Sequence, residues 1–413
     1  MKIPVQLSAL GMVCPLGSDP QTILQGLVTG SQQGMQSRND FIPEKPVIVG
    51  VVQDTLPELG KEWQRYQCRN NQLLLAAYQQ IADQVETYIK QYGKERIGLV
   101  LGTSTSGIDE GELAARHKLE HQQFPESYHY LQQEIGGSTE FLANYLGLEG
   151  VAYTISTACS SSAKALASAR QLLQADICDV VIAGGVDTLC RLTLNGFDSL
   201  ESVSDSICNP FSANRNGINI GEGAALFVVT REPGGIQLLG IGESSDAYHM
   251  SAPHPTGQGA EQAMQQALVD AELSSEAIAY INLHGTATKQ NDAMEAQAVN
   301  RVCGSQTPCS STKPLTGHGL GVAGALEIGF CWLLLTDHNQ WHQLPPQVWD
   351  NCYDNDLPAL ALVKLGQQFS QTVSTAAKDS CNLMSNSFAF GGNNISVVIG
   401  KAVDGVIDNV VDK

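Results

Sequence analysis

The sequence predicts a layered α/β protein, and three observations carry that prediction. Short β-branched runs alternate with longer helix-like runs along the whole chain. At 413 residues the chain is long enough for two or more domain-sized units around a large core. A glycine cluster precedes a β-branched run twice, in GEGAALFVV (221–229) and FGGNNISVVIG (390–400). A duplicated αβ unit would put such an echo in each half, although chance also produces patterns this short.

The opening MKIPVQLSALGMVCPLGSD has a single Lys and a broken apolar run. It is read as a first strand and turn rather than a signal peptide. Strands are then predicted at 46–52, 96–101, 179–183, 224–229, 278–283 and 395–399, from β-branched, apolar composition. Helices are predicted at 70–88, 160–175, 260–270, 292–302 and 321–336, from apolar residues at helical spacing. The His- and Gln-rich segment 113–135 reads as surface or cap structure. A Pro- and Gly-bearing connection near 231–259 divides the chain, giving halves at 1–240 and 241–413. The longest apolar run, GALEIGFCWLLLT, carries Glu327 and is too short to span a bilayer, so it is read as a buried helix.

With 23 Lys and Arg against 42 Asp and Glu, the net charge is −19. Such a chain repels duplex nucleic acid and anionic membrane surfaces, so neither is expected as a partner. The 11 cysteines are odd in number and form no CxxC pair. They read as buried thiols in a reducing, cytoplasmic compartment, with no structural zinc expected.

The chemistry concentrates at three places. In YTISTACSSSAKALASARQLL a β-branched run passes into an Ala-rich helix, with Cys159 at the junction. Free backbone N–H groups and the positive end of the helix there favour a thiolate. A buried structural cysteine is the competing reading. His284 follows the apolar strand INL in HGTAT, and His318 lies in TGHGLG before a helix. Each stands at a loop or strand end rather than on a helical apolar face. One cysteine and two such histidines make an acyl-transfer constellation. Lys313 and Glu327 flank His318 and are read either as a charged support for its imidazole or as solvated charges.

These segments resemble the β-ketoacyl-acyl carrier protein synthases of the elongating type I/II class, in the thiolase-like superfamily. The resemblance covers essentially the whole chain. It rests on GMVCPLG (11–17), TACSSS (157–162), NGFDSL (195–200), NRNGINIGEGAA (214–225), HGTATKQNDAMEAQAV (284–299), STKPLTGHGLGVAGALE (311–327) and NSFAFGGNN (386–394), in order. It implies a duplicated αβαβα five-layer fold and a dimer across a strand near 150–158. It further implies that Cys159 is the acylated nucleophile. His284 and His318 would bind the malonyl thioester, with Lys313 and Glu327 as their ionic support. The N–H groups of Cys159 and Phe390 would form the oxyanion hole, and Phe390 would gate the thiol. Asp292 and Glu295 match acidic positions read as structural. The reaction implied is decarboxylative condensation of a malonyl carrier with a Cys-bound acyl chain. It needs no cofactor and no metal. The partners implied are malonyl- and acyl-loaded acyl carrier protein, and a second copy or a ketosynthase-like subunit.

Some features depart from the housekeeping pattern. The closing loop has Asn393 where Thr is common. Lys289, Gln290 and Asn291 precede Asp292 where Pro and Gly are usual. SVSDSICNPF is shorter than its counterpart and acidic at Asp205. Thr105 stands about where a bulky residue limits the acyl pocket in one subtype. These departures suggest a specialised fatty acid or polyketide-like pathway, such as aryl polyene synthesis. An acidic carrier requires a local basic patch. Lys61, Arg65 and Arg69, at four-residue spacing, would share one face of a docking helix. Two rivals remain: a structural or chain-length-shaping partner of a second ketosynthase, and a thiolase-like enzyme using CoA substrates. The first typically lacks the nucleophile. The second would carry a further cysteine in the closing block, which NSFAFGGNN does not.

Overall fold

Strands that bury both faces tend to be apolar on both, and β-branched and apolar residues fill the central strands of the first half of this protein. The structure is a computed structural model that describes residues 3–369 and 381–401. The first half runs β1 (Gln6–Val13), α1 (Pro20–Thr29), β2 (Met35–Ile42), β3 (Lys45–Gly50), α2 (Arg69–Gln79), α3 (Ala82–Tyr92), β4 (Ile97–Gly102), α4 (Ile108–His121), α5 (Gly137–Leu146), β5 (Ala152–Ile155), α6 (Ser161–Gln174), β6 (Val180–Asp187), α7 (Arg191–Ser199) and β7 (Gly223–Thr230). The second runs β8 (Ile236–Ser245), α8 (Gln258–Ala271), β9 (Ile278–Asn282), α9 (Lys289–Cys303), β10 (Pro308–Ser310), α10 (Lys313–Thr316), α11 (Ala323–Leu335), β11 (Ala361–Leu362), β12 (Asn382–Phe388) and β13 (Asn393–Lys401).

The strand order is β1-β7-β6-β4-β5 in one half and β8-β13-β12-β9-β10 in the other, with β11 beyond β10. The sense of each pairing repeats as well: antiparallel, antiparallel, parallel, parallel. The echoed motifs fall on β7 and β13, which hold the same place in the two sets, so the fold is a duplicated unit. The sets join edge to edge where Gln6 of β1 faces Gln237 of β8.

Alternation along each strand sends side chains to opposite layers. Ile182 and Leu226 pack outward with Leu73, Leu74 and Phe141 of α2 and α5. Ile281, Met384 and Val398 pack on the opposite outside with Met264 and Val299 of α8 and α9. The inner faces, through Val181, Phe227, Leu383 and Val397, enclose α6 and α11. The layers are therefore αβαβα, as expected. Each apolar side chain buried in the central layer contributes about 1.5–3 kcal/mol. That explains why α11 is apolar almost all round. Its Gly324 is needed for close approach, because a Cβ there would stand 2.8 Å from the Cβ of Ala163 on α6.

Several boundaries differ from the sequence reading. The predicted strand 46–52 is β3, which pairs with β2 outside the main sheet. The predicted helix 70–88 is broken between α2 and α3, where the Gln80 side chain bonds the N–H and C=O of Met12. The connection 231–259 contains β8, and residue 240 lies inside that strand. The link between the two strand sets is 231–235 instead. Segment 113–135 is partly the end of α4. Among the described residues no helix is long and apolar enough to cross a membrane.

Candidate active site

The segment TACSSS makes a sharp elbow between β5 and α6. Ala158 takes a left-handed φ of 53°, rare for a residue with a Cβ. The serines that follow hold the turn. Ser161 Oγ accepts from Thr157 N at 2.8 Å and donates to Ala158 O at 2.6 Å. Ser162 Oγ accepts from Ala325 N of α11 at 2.8 Å, tying the two central helices together. Cys159 is thereby held at the start of α6, with a relative exposure of 4%.

His318 sits in the corresponding position of the second half, ahead of α11. Its backbone is clamped on both sides by the segment NRNGINIGEG. His318 N donates to Asn219 O at 2.7 Å, and Gly221 N donates to His318 O at 3.0 Å. Leu320 N donates to Nδ1 of the ring at 3.2 Å. Nδ1 is therefore the acceptor, and the ring proton belongs on Nε2. Nε2 lies 3.0 Å from Cys159 Sγ.

His284 follows β9. Glu295 of α9 accepts from His284 N and Gly285 N, both at 2.7 Å, and Asp292 accepts from Phe211 N at 2.8 Å. These carboxylates hold the loop and do not face the thiol. The His284 and His318 rings meet edge to face with centroids 5.2 Å apart. Sγ of Cys159 and a ring nitrogen of each histidine all lie within 4.8 Å of one another. The His284 Nδ1 is buried with no protein partner.

Lys313 and Glu327 form a buried ion pair at 2.5 Å, with side-chain exposures of 2% and 5%. Glu327 is the polar exception on α11. Burial, then the Lys313 charge, pushes both histidines well below the usual imidazole value, so each is neutral. The thiol behaves differently from the sequence expectation of a thiolate. Burial pushes Cys159 up to about 11, outweighing Lys313 and the backbone N–H groups of Phe390 and Cys159 that hold it down. Sulfur at rest is therefore a thiol. Those same two N–H groups face the sulfur.

Phe390 follows β12 in a turn completed by Gly391 at φ 83°. Its ring packs on Phe197 of α7, with centroids 5.5 Å apart. A cavity of about 670 Å³ opens from Cys159 past both histidines, Phe197, Phe390 and Thr286. Phe197 lies in the NGFDSL block, whose sequence alone does not mark it as a cavity residue. An aromatic on an exposed helix was the available signal.

Two groups of expected residues lie elsewhere. Thr105 is buried, but the cavity wall does not include it. Its hydroxyl donates to Asp187 Oδ1 at 2.8 Å and accepts from Thr188 N at 3.0 Å. The stretch holding Lys61, Arg65 and Arg69 is not one helix. A 3-10 helix spans Lys61–Tyr66, Cys68 is extended, and α2 begins at Arg69. Arg69 turns inward to pair with the buried Glu222 at 2.5 Å. Lys61 and Arg65 are exposed, with Arg65 3.9 Å from Glu140.

Residues 3–233 match the N-terminal domain of beta-ketoacyl synthase, and residues 236–347 match its C-terminal domain. A chain from the structure of a ketosynthase (ApeO) in complex with its chain length factor (ApeC), from Xenorhabdus doucetiae, is similar at 48% identity. It aligns over 97% of this chain and 98% of that chain, with a TM-score of 0.90. Nodulation protein E of Rhizobium meliloti is 29% identical over 94% of this chain and 97% of its own length. A 3-oxoacyl-[acyl-carrier-protein] synthase 2 from Staphylococcus aureus (strain MRSA252) is 26% identical over 97% and 98%.

Proposed function

The chain belongs to the beta-ketoacyl synthase family, and from that premise we propose a specialised condensing enzyme of the polyketide-like, aryl polyene kind. It joins a carrier-bound malonyl unit to an acyl chain held on Cys159. The observation that carries this reading is the convergence of Cys159, His284 and His318 at one buried point.

In the first step the Cys159 thiol attacks an acyl-carrier thioester. The acyl–sulfur bond to the carrier breaks, one to Cys159 forms, and the thiol proton ends on the departing carrier thiol. The thiolate that forms in passing is met by Nε2–H of His318 and the N–H groups of Cys159 and Phe390. In the second step malonyl-carrier enters and loses CO2. The enolate oxygen is stabilised by N–H donors from the two neutral imidazoles. The carbanion attacks the acyl carbonyl, whose oxyanion rests on the N–H groups of Cys159 and Phe390. Cys159 leaves as thiolate and takes up one proton from solvent, the proton that loss of CO2 from the malonyl carboxylate leaves to be supplied. Burial, helped by the Lys313 charge, keeps both histidines neutral, so that they donate a hydrogen bond rather than a proton. Phe390, packed on Phe197, closes the cavity to water that would hydrolyse the acyl-enzyme.

The specialised pathway is supported by the 48% identity to a chain of the ApeO–ApeC complex, against 26% to the Staphylococcus aureus synthase. The same likeness supports a second ketosynthase-like subunit as partner, across the exposed edge strand β5. The thiol in contact with His318 favours a catalytic role over a purely chain-length-shaping one. Acyl carrier protein delivers both substrates. The unpaired cysteines suit the reducing cytoplasm.

Intact mass after incubation with acyl carriers tests the reading. The wild-type protein should gain one acyl group and Cys159→Ala none, with conjugated polyenoyl chains loaded in preference to saturated ones. Loading of Cys159→Ala would overturn the assignment of the nucleophile. A clear preference for saturated chains would overturn the pathway.

A further inference from the structure

Asp187 ends β6 at a point where the two halves of the molecule meet, and it is completely buried. Among the described residues its hydrogen-bond partners are all uncharged. Oδ1 accepts from Thr103 Oγ1 at 2.9 Å, Ser104 N at 2.7 Å, Thr105 N at 2.6 Å and Thr105 Oγ1 at 2.8 Å. Oδ2 accepts from Val322 N, across the boundary between the halves, at 2.8 Å. Only an ionised carboxylate offers two oxygens that both accept and neither donate. The approach is tight: a Cβ on Gly321 would stand 2.7 Å from Oδ2.

Val322 lies four residues beyond His318. Between them Leu320 holds a left-handed φ of 53° and aims its N–H at His318 Nδ1, 3.2 Å away. That N–H keeps the imidazole proton on Nε2, where it faces Cys159. The segment 318–322 is thus pinned at one end by the clamp on His318 and at the other by Asp187.

We propose that Asp187 is a positioning residue for His318: by anchoring Val322 it holds the Leu320 N–H that fixes the Nε2–H form of the ring. It acts more on decarboxylation, where the enolate depends on the two imidazole donors, than on loading, where the backbone N–H groups of Cys159 and Phe390 also meet the sulfur. This rests on the reading of His318 as a donor to the malonyl thioester. A role in packing alone would lower both steps together.

Asp187→Asn tests it. With its oxygen kept toward the Thr103–Thr105 donors, the new amide would turn an N–H against Val322 N–H, and that anchor is lost. Acyl loading of Cys159, read by intact mass, should stay within about threefold of wild type. Release of CO2 from malonyl-carrier should fall roughly 10- to 100-fold at unchanged KM. Asp187→Ser removes the same bond, because the shorter side chain keeps a hydroxyl toward the Thr103–Thr105 donors but leaves no oxygen in reach of Val322 N. It should give the same split and carries the test if Asp187→Asn does not fold. Side-chain 15N shifts should show the Nε2–H tautomer of His318 in the wild type and a mixture of the two neutral tautomers in the variants. Equal losses of loading and decarboxylation, or no loss of either, would overturn the proposal. A wild-type protein that loads acyl chains but releases no CO2 from malonyl-carrier would overturn the functional reading instead.

Discussion

Cys159 stands where two electrostatic effects oppose each other, and burial wins in the resting enzyme. Its thiol is pushed up to about 11. The thiolate is the reactive form, so its fraction rises about tenfold per pH unit below that value. Alkylation of Cys159 by iodoacetamide, followed by peptide mass, should accelerate roughly 100-fold from pH 7 to pH 9. A rate already level above pH 7 would mean that the helix end and Lys313 dominate after all. The second residue-scale consequence concerns the ion pair. Replacing Lys313 by Met strands the Glu327 carboxylate, which is almost fully buried. Breaking such a pair costs about 3–5 kcal/mol. Urea denaturation should show that loss for Lys313→Met, with most of it recovered in the double variant Lys313→Met/Glu327→Leu. A double variant no more stable than the single one would show that the charge is not what destabilises. The cysteine, both histidines and Lys313 were legible in the sequence because each stands in a short motif at the end of an element, and Glu327 because a lone acid stands out in an apolar helix. Asp187 was not. One acid at the end of a β-branched run carries no local sign of the donors that converge on it.

At the scale of elements, legibility followed how far local preference agreed with tertiary demand. β6 and β7 read clearly because both of their faces are apolar. β12 did not: its Ser385, Asn386 and Ser387 are polar yet buried. Their burial is tolerated through pairing across the sheet, as where Ser396 Oγ donates to Asn386 Oδ1 at 2.8 Å. β8 was hidden by Gly240 and Gly242, which read as loop residues. In the fold they let α8 lie against the strand, since a Cβ on Gly242 would stand 1.9 Å from Ala263 O. Gly242→Ala should therefore push α8 off the sheet, cost about 1–3 kcal/mol by overpacking, and lower Tm. Gly304→Ala is the control for overpacking. A Cβ there meets nothing within 4 Å, although its φ of 70° carries some strain of its own. An unchanged Tm for Gly242→Ala would show that helix approach does not limit position 242.

At the scale of the molecule, the net charge of −19 sets a problem that local structure has to solve. Acyl carrier proteins are acidic, so the whole surface repels such a partner at long range, and a cationic patch must hold it at short range. Of the three basic residues read as one docking face, Arg69 is committed to Glu222 in the interior. Lys61 and Arg65 remain outward, the latter over the Tyr66 ring at 5.2 Å. Reversing both to Glu should raise KM for carrier-bound malonyl about 3- to 10-fold, and leave kcat and turnover of a small pantetheine substrate unchanged. Added salt should then lower that KM again, because the variant's contact is repulsive and screening weakens repulsion. Arg69→Glu should act differently, placing a second carboxylate beside buried Glu222 and lowering Tm before any effect on KM. If the Lys61/Arg65 variant loses activity equally on both substrates, the carrier docks on another face. In that case the rim of the cavity, where Lys289 and Arg215 outnumber Glu201 among the lining residues, becomes the next surface to reverse.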